Sequence, residues 1–111
     1  KHTKEVSTYQ TKKPDIIFKN KVGQEIVLEI ETGAGLKKHR KRMDEKFEEV
    51  KKQYRDRAYL ILTDKDKRNS YRKYGLTILL RKDLKEFVRL QFSGKKNSDI
   101  GRSLNRTMLK I

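Results

Sequence analysis

Asp15, Glu29 and Glu31 are of a residue type and spacing that could hold a metal ion. Asp15 lies in Pro14-Asp15-Ile16-Ile17-Phe18, and the two glutamates lie in Glu25-Ile26-Val27-Leu28-Glu29-Ile30-Glu31-Thr32-Gly33. Read as two strands of a hairpin joined through Asn20-Lys21-Val22-Gly23-Gln24, with Lys19 opposite Glu25, these stretches place Asp15 opposite Glu29. The two-residue period of a strand then sets Asp15, Ile17, Val27, Glu29 and Glu31 on one face. Ile16, Phe18, Ile26, Leu28 and Ile30 fall on the other. Carboxylates gathered in this way repel unless a cation lies between them, and a divalent ion suits a set of oxygen ligands. The competing reading makes Glu25, Glu29 and Glu31 the solvent-facing rungs of a half-buried strand.

Composition narrows the chemistry. The chain has no cysteine, which excludes thiolate metal sites, disulfides and cysteine nucleophiles together, and its two histidines, His2 and His39, argue against a His-rich zinc site. Any metal would be a hard ion held by oxygen. Thirty Lys and Arg against fifteen Asp and Glu give a net charge of +15, which points to a polyanionic partner, nucleic acid before an anionic membrane surface. Only 33% of the residues are hydrophobic, but they come in periodic blocks, so the 111 residues read as one folded domain, with other domains of a longer chain expected beside it. There is no apolar run of membrane-spanning length and no signal-like segment, so a cytoplasmic protein without a membrane partner is expected.

The elements that must position the acids follow from the same pattern. Residues Thr3 to Gln10 read as an outer strand, and Lys12-Lys13-Pro14 as a break, because proline lacks an N–H and biases its predecessor toward extended backbone. After Thr32-Gly33-Ala34-Gly35, a helix is expected from Leu36 to Tyr54, with Leu36, Met43, Phe47, Val50 and Tyr54 as its apolar stripe. His39, beside that stripe, reads as a partly buried spacer rather than a ligand. The run Lys37-Lys38-His39-Arg40-Lys41-Arg42 opposes the helix macrodipole, which implies a negative group nearby, either the carboxylates or a phosphate; the alternative is a solvated charged face.

Arg57 to Thr63 reads as a strand buried on both faces. A right-handed crossover makes it parallel to the acid-bearing strand and brings Thr63-Asp64 to the same sheet edge as Glu31. Asp64 reads as a cap for the next turn, with a supporting acid as the alternative. A polar helix or loop follows over Asp66 to Tyr74, then a strand over Leu76 to Leu80 and a helix over Asp83 to Phe92 with Leu84, Phe87, Val88 and Leu90 inward. Residues 1–92 are expected to form the domain and 93–111 a basic C-terminal extension, in which Ile100 to Ile111 is either a docking helix or a tail. From Lys65 onward the chain carries fourteen Lys and Arg against four Asp and Glu.

This order of strand, acid-bearing strand, helix and apolar strand, with Pro14-Asp15 and Glu29-Ile30-Glu31, resembles the PD-(D/E)XK nuclease superfamily over about Val6 to Phe92. The run Glu29-Ile30-Glu31-Thr32-Gly33 looks like the variant in nuclease-like domains of mobile-element proteins. The resemblance implies an α/β, restriction-endonuclease-like fold, a central mixed β-sheet flanked by helices. It further implies Mg²⁺ or Mn²⁺ held by Asp15, Glu29 and the backbone of Ile30, and metal-dependent hydrolysis of DNA phosphodiesters. Glu31 stands where the superfamily usually has a lysine. Some members supply a basic group from the following helix instead, which points to Lys37 or Lys38, with Lys41 further along. Gln53 would lie about 25 Å down that helix and is no candidate.

Arg40, Lys41, Arg42, Arg68 and Arg72 are the expected phosphate contacts, and a homodimer would supply the two sites needed to cut both strands. The alternative is a non-catalytic DNA-binding module that retains the nuclease fold. A basic ribosome-associated RNA-binding protein is a third reading, which leaves the aligned acids unexplained.

Overall fold

Alternating apolar residues build the hairpin at the centre of the computed structural model, which describes residues 14–108. Strands β1 (Ile16–Lys19) and β2 (Glu25–Glu31) pair antiparallel with Ile16 opposite Leu28, Ile17 opposite Val27 and Lys19 opposite Glu25, the register expected from the pattern. The loop between them closes on Asn20, whose Oδ1 accepts from the Gln24 N–H at 2.8 Å, and Gly23 takes φ of +87°, where a side chain would be strained.

Strand β3 (Ala58–Leu62) lies parallel to β2, and β4 (Thr77–Leu80) lies parallel to β3, giving a four-stranded mixed sheet in the order β1-β2-β3-β4. Helices cover both of its faces, so the fold is α/β. One core joins Val27, Leu60 and Leu62 to Met43, Phe47 and Val50, and the other joins Ile26, Leu28, Tyr59 and Ile61 to Phe87, Leu90 and Ile100. Each large apolar side chain buried in this way contributes about 1.5–3 kcal/mol relative to exposure. Burial on both faces is why β3 reads as a continuous apolar run.

The crossover from β2 to β3 contains two helices rather than the single one expected. Helix α1 (Gly35–Lys38) stops at His39, and α2 (Arg40–Tyr54) starts afresh with no acidic residue in its first turn. A continuous helix would stack the basic side chains of residues 37–42 three and four apart, where like charges repel.

Helix α3 (Arg68–Tyr71) is a single turn between the 3-10 turns Lys65–Lys67 and Arg72–Tyr74. Helix α4 (Leu84–Gln91) packs on the far face of the sheet, and α5 (Asn97–Met108) follows it. Ile100 of α5 is fully buried in the second core, so the start of this segment docks, as one of the two expected alternatives had it. The strand expected over Thr3 to Gln10 lies outside the described residues. Among the described residues no helix is long and apolar enough to cross a membrane.

Candidate functional site

The hairpin register and the crossover together bring Asp15 and Glu29 to a single cation. Extending the β1–β2 pairing by one residue sets Asp15 opposite Glu29, and the Ile30 N–H donates to Asp15 Oδ2 at 2.8 Å. Glu29 points to the face covered by α2, where it is fully buried. Lys46 reaches down from α2 with its Nζ 2.8 Å from Glu29 Oε1 and 3.4 Å from Asp15 Oδ1. The ammonium is fully buried, while the Asp15 side chain keeps 20% of its exposure and forms the solvent side of the cluster.

At 2.8 Å the Lys46 ammonium pairs directly with the buried Glu29 carboxylate. Burial pushes Glu29 up from 4.5 to about 7, against the opposing pull of the Lys46 ammonium. A carboxyl raised by burial beside a lysine and a second carboxylate is an arrangement that functional sites use.

Glu31 takes a different partner. It is almost fully buried on the same face as Glu29, and the Tyr71 hydroxyl donates to its Oε1 at 3.1 Å. Tyr71 is held above the ordinary tyrosine range first by burial and then by the Glu31 charge. Among the described residues no three His, Cys, Asp or Glu side chains converge closely enough to hold a metal ion, so the expected gathering of Asp15, Glu29 and Glu31 into one ligand set does not form. Glu29 and Glu31 share a face but are successive rungs along it, about 6.6 Å apart at strand spacing. Asp15 and Glu29 are the two carboxylates that remain facing each other, with the Lys46 ammonium against both, and carboxylate oxygens are the donors a hard divalent ion takes.

The lysine at the carboxylates is Lys46, which the sequence reading passed over. Lys37 and Lys38 are exposed on α1, and Lys41 is exposed on the first turn of α2. A signal for Lys46 was present: it lies three residues after Met43 and four before Val50, in the inward stripe of α2. Tyr71 was likewise passed over, the one large side chain buried by its polar turn.

Arg40, Lys41 and Arg42 are exposed and line a shallow hollow of about 390 Å³, and the Arg40 Nε donates to the Leu36 carbonyl at 3.2 Å. Arg68 and Arg72 line a separate hollow of about 510 Å³. His39, half-buried, sits at the N-cap of α2 without a side-chain capping bond. Asp64 is a cap, its Oδ1 accepting from the Asp66 N–H at 3.0 Å. The Thr63 N–H donates to the Glu31 carbonyl at 3.1 Å, so the end of β3 adjoins the end of β2. No protein family, curated protein or solved structure matches this chain.

Proposed function

We propose that this domain is a metal-dependent DNA nuclease of restriction-endonuclease-like fold, in which Asp15 and Glu29 hold Mg²⁺ or Mn²⁺ and Lys46 takes the part of the motif lysine. The observation that carries the reading is the single buried ammonium reaching both facing carboxylates. A bound ion would supply Lewis-acid polarisation of the phosphodiester and lower the pKa of a water.

The chain's own residues do the rest. The Ile30 N–H fixes Asp15 against β2, leaving its Oδ1 toward Lys46. Glu29 has to be ionised to serve as a ligand, which couples the site to pH near neutrality. Lys46, buried behind Asp15, holds the two carboxylates together, and its positive charge opposes negative charge developing at the site. Glu31, held by the Tyr71 hydroxyl, positions the end of β2. Cutting both strands of a duplex takes two such sites, which a homodimer would provide.

A second reading, a DNA-binding module that has kept the fold without catalysis, is favoured by one observation: the Lys46 ammonium already pairs with both carboxylates. The two separate in one experiment. Mn²⁺ and Mg²⁺ are titrated calorimetrically into the wild type, Asp15→Ala/Glu29→Ala and Lys46→Met, with cleavage of single-stranded, duplex and branched DNA followed in parallel. The nuclease reading expects metal binding and cleavage to vanish together in the double variant. It expects Lys46→Met to keep metal binding while cleavage falls by about 10²–10³, the usual range for a group that stabilises charge developing in the transition state. Equal, metal-independent DNA binding by all three proteins without cleavage would establish the binding module.

A further inference from the structure

We propose that the sheet edge at the C-terminal ends of β3 and β4 is a track for the phosphate backbone of duplex DNA, leading to the carboxylate site. The identity of the polymer rests on the reading above, and the track adds the path it takes. Two hollows of about 470 and 510 Å³ share Lys65, Asp66, Leu80 and Lys82 and therefore form one groove. It begins at Leu62 and Thr63, one hydrogen bond from the end of β2, since the Thr63 N–H donates to the Glu31 carbonyl. Leu62 and Leu80 pack into the same core as Val27, so the groove opens on the sheet face that carries Glu29 and Glu31.

Its charge is one-sided. Lys65, Arg68, Arg72, Arg81 and Lys82 line it against Asp64 and Asp66, and Asp64 is engaged in capping. None of the five cations is in a salt bridge among the described residues. Unpaired cations at this density repel one another, and a polyanion relieves that repulsion while releasing its own counterions.

Among the described residues no aromatic side chain lines the groove, whereas single-strand binders offer aromatic platforms for base stacking. Backbone contact with a duplex is the mode these residues suit. The larger hollow of about 790 Å³ beside the C-terminal half of α2 differs in kind: Asp44 and Glu48 are interleaved with its cations, and Lys73 is paired with Asp44 at 3.4 Å.

The test measures affinity for a short DNA duplex by fluorescence anisotropy in EDTA, as a function of salt. It compares the wild type with Lys65→Gln/Arg81→Gln/Lys82→Gln and with an equal loss of charge elsewhere, Lys52→Gln/Arg55→Gln/Lys95→Gln. The groove variant is expected to bind about tenfold or more weakly near 0.15 M salt, with the slope of log affinity against log salt reduced by about 2.7 for three lost contacts. The comparison variant is expected to stay near wild type. If both variants weaken equally, net charge alone is at work and the track is overturned, as it is if single strands bind more tightly than duplex. Should the triple variant fail to fold, Arg81→Gln/Lys82→Gln is expected to give about two thirds of the slope change.

EDTA keeps the measurement independent of catalysis, so the two failures are distinct. Loss of binding in the groove variant without any Mn²⁺-dependent cleavage by the wild type would sink the nuclease reading alone. Persistent cleavage with unchanged affinity in the groove variant would sink the track alone.

Discussion

A fully buried lysine held between two carboxylates is stabilising only while all three are present. Removing the ammonium leaves Glu29 and Asp15 facing each other, and breaking a buried pair from one side typically costs about 3–5 kcal/mol. Lys46→Met is therefore expected to lose that much stability in urea denaturation at pH 8, and clearly less at pH 5, where Glu29 is protonated in either protein. The wild type has a pH dependence of its own. Glu29 rises from 4.5 to about 7 on folding, so the folded state binds the extra proton in between. Its contribution is full below pH 4.5 and is lost as pH rises through 7, on the order of 3 kcal/mol over the window. Metal-free denaturation series in EDTA are expected to show this decline, and Glu29→Gln to flatten it. At this scale the facing of Asp15 and Glu29 was legible, because a hairpin register leaves no freedom once one pair is set. Lys46 was not, because a charged side chain is by habit assigned to the wet face of a helix, and its place between Met43 and Val50 shows only when the spacing is counted without regard to charge.

Among the elements, the most demanding junction is polar. Asn97, at the start of α5, accepts at Oδ1 from the hydroxyl of Tyr59 and from Gln91 Nε2, and donates through Nδ2 to the Asp56 carbonyl at 2.9 Å. Asn20 joins the same network by donating to Gln91 Oε1 at 2.9 Å, so the hairpin loop, the end of α4 and the start of α5 are tied together. A buried donor left without its partner costs about 1–3 kcal/mol. Asn97→Ala is expected to cost about 2–4 kcal/mol in chemical denaturation, since several groups lose their partner at once. Truncation after Phe92 removes Asn97 and empties the place of Ile100 as well, and is expected to abolish a cooperative thermal transition. The hairpin and the parallel crossover could be read from period two in β2 and the continuous apolar run in β3. The role of α5 could not: Gly94-Lys95-Lys96-Asn97-Ser98 has the composition of a linker, and a buried asparagine is told from an exposed one only by the partners that the rest of the fold brings to it.

For the whole molecule, a net charge of +15 on 111 residues makes salt act in two opposing directions. Screening relieves the self-repulsion of the folded chain, which is strongest where Lys65, Arg81 and Lys82 crowd one edge, so the free protein gains stability as salt rises. Counterion release drives the proposed binding to DNA, and that force weakens as salt rises. A ligand that binds only the folded state raises its melting temperature according to concentration and affinity. Thermal melts of the protein alone are therefore expected to move upward between about 20 and 500 mM NaCl, over which the Debye length shrinks from roughly 20 Å to a few ångströms. Melts with excess duplex DNA in EDTA are expected to start higher, fall, and meet the first series at high salt. The point at which they meet is set by affinity, so the groove variant should bring it to lower salt while Asp15→Ala/Glu29→Ala leaves the difference between its two series intact. Two parallel series with no difference between them would mean that the charge of this molecule does not serve a duplex.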